Sequence, residues 1–167
     1  MADTHLDLLK SVPEAEAAAI LALGRRLELP SGRVLFELGA PADHLYLIDR
    51  GRVNLTLPMR VFGREEDILV EERAAGQTLG WSALIPPHRF TLEATSQIDS
   101  ELVVLARESL LEYFAAHPAT GYAIVGHVAA TVGQRLQVFQ AMWLREMKRA
   151  LELSQGGPRE VTDRGGR

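Results

Sequence analysis

Cysteine is absent from the 167 residues of this sequence. A disulfide framework, a thiolate metal site, a cysteine nucleophile and thiol-based redox sensing are therefore all excluded. The sequence also lacks an apolar run of about 18 residues or more, and it does not begin with a basic segment followed by an apolar one. We therefore expect a cytoplasmic protein with no membrane partner.

An excess of basic residues is lacking too, because the formal net charge at pH 7 is −4. Affinity for a phosphate backbone comes mostly from Lys and Arg, so we expect no direct DNA binding. The five histidines are scattered, and no His-x-His pair supports a metal-binding cupin. No Ser/His/Asp order, nucleotide-phosphate loop or carboxylate pair stands out either. The sequence thus predicts no enzyme, no metal site and no cofactor.

The stretch between Arg25 and Arg107 has a period of two, with Gly, Pro and Asp turns between short segments. The predicted strands lie near residues 26–30, 33–37, 43–49, 51–58, 66–73, 88–96 and 100–107. Short strands at regular spacing favour a jelly roll or a sandwich. Since helical segments flank them, the predicted fold class is α+β, with a mainly β jelly-roll barrel over about residues 25–107. We expect one domain over residues 1–153 and a disordered tail over residues 154–167.

The central segment, Ala75–Thr95, interrupts this series of strands. It begins with a glycine turn, passes through residues 81–84, which are too few for more than one helical turn, and breaks at two prolines, 86 and 87. Gly80 leaves the start of that turn open to close approach. Free N–H groups at a helix start suit an anion, so the segment predicts an anion site.

Several glycines and a tyrosine-containing run add to this pattern. Gly32 and Gly39 occupy expected turns, and the run Tyr46-x-Ile48-x-x-Gly51-x-Val53 follows. Together with the central segment, these features resemble the cyclic nucleotide-binding domain family, the effector domain of catabolite-activator-type regulators. The resemblance spans about residues 15–150 and implies a jelly roll followed by a long C-terminal helix.

The family's phosphate-binding cassette usually contains Gly-Glu-x-Ala-Leu, then a short gap, then Arg-Ser/Thr-Ala. Its Glu holds a ribose hydroxyl and its Arg pairs with the cyclic phosphate. Gly80, Ala83 and Leu84 match this pattern, but Trp81 stands at the Glu position. The Arg position falls on His88 or Arg89, depending on the register.

Strand parity distinguishes these two registers. Phe90, Leu92 and Ala94 form the apolar face of the predicted strand, and side chains two residues apart share a face. His88 then points inward with them, while Arg89 and the residues at 91 and 93 point outward. Parity therefore favours His88 as the ligand-side residue, although Arg89 could swing over a phosphate or a carboxylate.

The candidate ligand-binding residues combine the central segment with two positions on the long helix. Trp81 is interpreted either as a packing residue that closes the pocket or as a stacking platform for a planar ligand. The resemblance implies that Thr131 and Gln134 could reach the ligand, although both could equally be plain surface residues. The full candidate set is Leu79, Gly80, Trp81, Ser82, Ala83, His88, Arg89, Thr91, Thr131 and Gln134.

No proline interrupts the sequence from Ala119 to about Leu153, which predicts one long helix. Its apolar residues follow a seam near the 3.5-residue period. They are Val125, Val128, Val132, Leu136, Phe139, Met142, Trp143 and Met147. The late members of this seam need cover, so we expect a parallel two-fold homodimer through this helix. The alternative is that they fold back over the chain's own barrel.

Three functions remain open on the sequence alone. The first is a stand-alone regulatory module that senses an unidentified small ligand, with an anion as one option, and acts on an unidentified protein partner. The second is a dimeric scaffold that has kept the fold and lost the ligand. The third is a weak receptor for cyclic AMP or cyclic GMP that uses His88 or Arg89.

Overall fold

The computed structural model describes residues 6–155. Its strands are β1 (Arg25–Leu29), β2 (Val34–Phe36), β3 (His44–Arg50), β4 (Arg52–Val61), β5 (Arg64–Ala74), β6 (Thr78–Leu79), β7 (Glu93–Ser96) and β8 (Ser100–Ala106). Its α-helices are α1 (Glu14–Ala22), α2 (Arg107–Ala116) and α3 (Pro118–Gln155), and short 3-10 turns span Asp7–Leu9 and Trp81–Ala83. This arrangement confirms the predicted α+β fold with a β jelly roll.

The strands form two antiparallel sheets. One sheet has the order β1-β8-β3-β6 and the other has the order β2-β7-β4-β5. Thus β6 and β5, which are consecutive in sequence, are edge strands of different sheets. The turn between them is held against β3, because Gly76 N donates to Ile48 O at 2.8 Å and Ile48 N donates to Gln77 O at 3.0 Å.

The core lies between the two sheets. Val53 and Leu55 of β4 are buried, and so are Ile48 of β3 and Leu102 of β8. Phe36 stacks on Phe90 with ring centroids 3.8 Å apart. Alternate residues of each strand therefore supply this core, which is what the period of two in the sequence predicts.

The long helix is close to its predicted bounds, since α3 runs from Pro118 to Gln155. Proline suits the first helical position because the N–H that it lacks would have no partner inside the helix. Ile124 and Val128 are 0% and 2% exposed. Val128 was predicted to join a dimer interface, but its burial leaves no surface for a second subunit.

The chain divides into two compact units, Met1–Val128 and Ala129–Arg167. The first contains both sheets, the helices α1 and α2, and the start of α3. The second, within the described residues, consists of the remainder of α3. The single domain predicted over residues 1–153 stays a prediction, and all but the first two residues of the predicted disordered tail lie outside the described part of the chain.

The strand predicted over residues 88–96 is wrong in its first half. Strand β7 begins only at Glu93, the preceding two residues form a bend, and His88 has a φ of 55°. Such a left-handed conformation breaks a strand. The two-residue strand β6 was not predicted, because Thr78 and Leu79 are too few for a periodic signal and are extended through pairing with Leu47 and Tyr46.

Candidate functional site

The cassette turn, residues 80–84, begins at a glycine that no other residue could replace without strain. Gly80 has a φ of 74° and precedes the 3-10 turn Trp81–Ala83. A Cβ built on Gly80 would lie 3.0 Å from His44 O and 3.2 Å from Tyr46 Cδ2. Both the backbone conformation and the close approach therefore require glycine.

Hydrogen bonds within the cassette turn fix the conformation of its backbone. Ala83 N donates to Gly80 O, and Leu84 N donates to Trp81 O, both at 2.9 Å. The sequence-based prediction of an anion site at the start of this turn stays a prediction.

The residues around the cassette turn differ in their access to solvent. Leu79 and Ala83 are 1% and 0% exposed and belong to the hydrophobic core, and Ser82 is also buried. Trp81 is half-buried. Leu79 and Ala83 therefore form the apolar floor beneath the turn, while Trp81 lies at its edge. Nearby, burial raises the pKa of Tyr46 and favours its neutral form.

The loop after the cassette turn is fastened to the segment between β2 and β3. Ala42 N donates to His88 O at 2.8 Å, and Phe90 N donates to Ala40 O at 3.0 Å. Pro41 and Arg89 form an isolated β-bridge. These contacts explain why residues 88–92 hold a defined position outside a regular strand.

His88 and Arg89 point in different directions. The His88 ring is half-buried, and its Nδ1 lies 3.4 Å from Ser82 O of the cassette turn. Arg89 is exposed, and its Nη1 donates to Gly39 O at 2.8 Å. Thr91 is exposed as well, whereas Phe90 and Leu92 are 5% and 8% exposed. Burial thus alternates as parity predicts, even though the strand assumed for that argument is absent here.

The remaining candidate residues are on the long helix. Thr131 and Gln134 lie on α3 beyond Val128, in the second compact unit. Their contribution to ligand binding stays a prediction.

Two charged residues that sequence reasoning did not single out lie on the inner side of β5. Arg73 is 9% exposed and pairs across the sheet with the buried Val53. Its guanidinium forms an ion pair with Glu71. No local signal in the sequence marks this pair, because simple alternation along β5 from the apolar Val70 places Glu72 inward instead.

Other chemistry finds no support in the described residues. From residue 6 to residue 155, no three His, Asp or Glu side chains come together in a way that could hold a metal ion. Within the same range, no helix is both long enough and apolar enough to cross a membrane.

Comparison with protein families gives one match. Residues 26–117, more than half of the chain, match the family model described as the cyclic nucleotide-binding domain. No protein of curated function matches the chain significantly.

Solved structures share the fold. A protein of Geobacter metallireducens GS-15, provisionally called a cyclic nucleotide-binding protein, is 26% identical, with a TM-score of 0.62 over 77% of this chain and 91% of that one. The N-terminal domain of a transcriptional regulator from Streptomyces coelicolor is 23% identical, with a TM-score of 0.67 over 81% and 94% of the two chains. The catabolite activator protein of Thermus thermophilus is 24% identical, with a TM-score of 0.65 over 89% of this chain and 63% of that one. By these descriptions, the second of the three is part of a transcriptional regulator and the third is an activator.

Proposed function

This chain belongs to the cyclic nucleotide-binding domain family, and from that premise we propose that it is a regulatory module that binds a small anionic ligand other than a cyclic nucleotide. Cyclic AMP and cyclic GMP are expected to bind too weakly to occupy the site at physiological levels. The protein is not expected to catalyse a reaction.

The observation that carries this proposal concerns the cassette turn. Its glycine and alanine match the family's cassette pattern, but the side chains at positions 81 and 88 differ from that pattern. Gly80 has the left-handed conformation, Ala83 packs into the core, and the loop after the turn is fastened to residues 40–42. Only glycine fits at this point, because a Cβ there would lie 3.0 Å from His44 O. The retained geometry supports ligand binding over a ligand-free scaffold.

The changed side chains support a ligand different from a cyclic nucleotide. Trp81 at the position of the family's Glu presents an indole N–H, which only donates and cannot accept from a ribose hydroxyl. His88 replaces a permanently charged planar fork with an imidazole, which lacks the parallel pair of donors that a guanidinium presents. The Arg89 guanidinium instead donates a hydrogen bond to Gly39 O.

We also propose that α3 forms a homodimer, as the sequence predicts. Its apolar residues beyond Val132 are all substantially exposed, including Leu136 at 57% and Trp143 at 61%. Contiguous apolar surface of this kind is rare on monomers. A dimer would let a ligand-dependent change in one subunit affect the other.

A thermal-shift screen tests the proposed function. The full chain is heated with cyclic nucleotides, nucleoside monophosphates and small carboxylates, because a ligand that binds only the folded state raises Tm. At a hundredfold excess over Kd the stabilisation is about 2.7 kcal/mol. For a chain of this length that corresponds to a shift of roughly 5 to 10 °C.

We expect Tm to rise with an anionic compound and to stay unchanged with ~10 µM cyclic nucleotide. Losing the two contacts at positions 81 and 88 would weaken the Kd for a cyclic nucleotide roughly a thousandfold, so the site would stay mostly empty at that concentration. His88→Ala should reduce the shift. The matched control Gln97→Ala, at an exposed position beyond the other end of β7, should not. A shift with cyclic AMP alone would identify a cyclic nucleotide receptor, and no shift with any compound would favour the scaffold.

A further inference from the structure

The inner face of β5 carries a buried cation. Arg73 is 9% exposed and lies opposite Val53, which is fully buried in the core between the sheets. Residues directly opposite each other in an antiparallel pair point to the same side of the sheet. The Arg73 side chain therefore extends into the roll, where arginine is rare unless it is paired.

An irregularity in the β4–β5 pairing is what turns this side chain inward. Leu55 pairs with Glu71, but the next residue, Thr56, pairs with Leu69, so Val70 is an extra residue in β5. Such a bulge reverses the parity of the strand on one side of it. As a result Glu71 and Arg73 share the inner face with Leu55 and Val53.

Glu71 and Arg73 form an ion pair at the border of the roll interior. Arg73 Nη2 lies 2.7 Å from Glu71 Oε1, and the two side chains are 11% and 31% exposed. The guanidinium is thus on the inside, and the carboxylate is closer to solvent. By contrast, the Arg60–Glu65 pair farther along the same hairpin is 74% and 88% exposed, at 3.9 Å.

A pair in this position is poorly explained by stability. Moving charges out of water is costly, and apolar replacements of buried pairs are often neutral or stabilising. A charged side chain that is removed from water beside a specific charged partner is a candidate for a functional role instead. The inner face of β5 would bury a leucine or a valine at lower cost than an arginine.

The chain path connects Arg73 to the cassette turn. Arg73 precedes Gly80 by only a few residues, and the turn between β5 and β6 is hydrogen-bonded to Ile48 of β3. β5 and β6 are the edge strands of the two sheets. Arg73 and the cassette turn therefore belong to one short stretch of chain, which joins the edge strands of the two sheets.

We propose that Arg73 binds the anionic group, a phosphate or a carboxylate, of the ligand, and that Glu71 occupies the guanidinium until the ligand displaces it. This inference rests on the proposed function. A guanidinium presents a planar fork that matches both groups with two parallel hydrogen bonds. It supplies a permanent positive charge together with a planar fork, a combination that neither the Trp81 indole nor the His88 imidazole presents.

The test compares variants of this pair with the exposed pair on the same hairpin. The full-length protein is titrated by calorimetry with adenosine monophosphate, inorganic phosphate, benzoate and uncharged adenosine. Arg73→Met should weaken binding of the anionic probes about 30-fold, the equivalent of losing one charge-assisted contact of about 2 kcal/mol. Arg73→Lys should weaken it less, because the charge stays and the fork is lost.

The Glu71→Gln variant distinguishes a binding role of Arg73 from a purely structural role of the pair. Removing the competing carboxylate should tighten anion binding, by roughly three- to tenfold, since a neutral amide is displaced more readily than a charged partner. The control variants Arg60→Met and Glu65→Gln should leave every affinity unchanged. If the Arg73→Met variant does not fold, the anion affinities of Arg73→Lys and Glu71→Gln still show whether Arg73 binds the anionic group.

Each outcome separates this inference from the proposed function. Equal binding of anionic probes by the wild type, Arg73→Lys and Glu71→Gln would overturn the role of Arg73 and leave the proposed function standing. Adenosine binding as well as adenosine monophosphate would overturn anion recognition. A wild type that binds none of the probes would overturn both. Phosphate-bearing probes binding in preference to benzoate, or the reverse, would identify which anionic group the site takes.

Discussion

Two side chains at the cassette turn change the charges that this fold can offer to a ligand. In the proposed register, Trp81 stands where the family has a carboxylate that accepts from a sugar hydroxyl, and His88 stands where it has a guanidinium that pairs with a phosphate. The backbone has the glycine conformation that a tight turn needs, since Gly80 has a φ of 74° and the short 3-10 turn follows it. We therefore propose that these two side chains, and not the backbone, determine ligand choice.

We predict that the double variant Trp81→Glu with His88→Arg has a higher affinity for cyclic AMP than the unmodified chain. Each lost charge-assisted contact costs about 2 kcal/mol, so two losses weaken binding roughly a thousandfold if they add. The unmodified chain should show no binding at ~10 µM and neutral pH, a concentration set by that penalty. Calorimetry of both proteins measures the difference.

The matched control is Trp81→Glu with Arg89→Lys, which adds the carboxylate but leaves the imidazole at position 88. It should recover at most part of the affinity. Tight binding of cyclic AMP by the unmodified chain, together with its loss in Arg89→Gln, would contradict the choice of His88. It would show that the Arg89 guanidinium leaves Gly39 O and pairs with the phosphate.

At the scale of elements, one carboxylate connects all three helices near the roll. Glu16 of α1 accepts a hydrogen bond from Tyr113 Oη of α2 at 2.7 Å and another from Thr120 Oγ1 of α3 at 2.8 Å. The His117 ring stacks on Tyr113 with centroids 4.2 Å apart. The hydrogen bond from Tyr113, then that from Thr120, lowers the pKa of Glu16. The same bond raises the pKa of Tyr113.

We predict that this junction makes the fold less stable in acid. Because the pKa of Glu16 is lower in the folded state than in the unfolded chain, its carboxylate stabilises the fold above the unfolded value of about 4.3. That contribution disappears as the pH falls through the folded value. Glu16→Gln should therefore have a lower unfolding midpoint in urea than the wild type at pH 7, with the gap narrowing towards pH 3.

The control for this experiment is Glu14→Gln, which changes an exposed carboxylate two residues earlier in α1. It should show little difference from the wild type at either pH. A gap for Glu16→Gln that is the same size at both pH values would mean that the shape of the side chain, and not its charge, stabilises the junction.

At the scale of the whole molecule, α3 has far more apolar surface than its first turns need. Phe139, Met142 and Met147 are 42%, 48% and 43% exposed, and Leu136 and Trp143 are more so. Phe139 and Trp143 are four residues apart, which places them on one face of the helix. Burying that face against a second copy of the chain would remove it from water.

We predict that Phe139→Glu with Trp143→Glu produces monomers. In an isologous interface each new carboxylate would lie close to the same carboxylate of the second subunit. Their electrostatic repulsion would add to the loss of apolar burial. Sedimentation at micromolar concentration should give about twice the chain mass of 18.4 kDa for the wild type and a single mass for the variant.

The control pair Gln137→Glu with Ala141→Glu adds the same two charges at the same spacing. Each position is two residues earlier, so it is rotated about 200° around the helix axis from the first pair. This variant should stay dimeric. A wild type that sediments as a monomer would contradict the predicted homodimer.

The sequence by itself determined the features that depend on neighbours along the chain. The period of two predicted most strands to within a few residues, the uninterrupted segment after Pro118 predicted α3, and Gly80 predicted close approach at the start of a short turn. It also identified the family through the spacing of its glycines. Local backbone preference and alternating burial are properties of short segments, so they can be recognised without knowing the fold.

Only the tertiary structure decided the features that depend on partners distant in sequence. Strand β6 exists because Thr78 and Leu79 pair with β3, and residues 88–92 leave the strand because the segment before β3 holds them by hydrogen bonds. Arg73 points inward because a bulge opposite Leu55 shifts the parity of β5. A register shift between two strands changes which side chains face the interior without changing any local pattern. For that reason the charged pair inside the roll could not be found from the sequence.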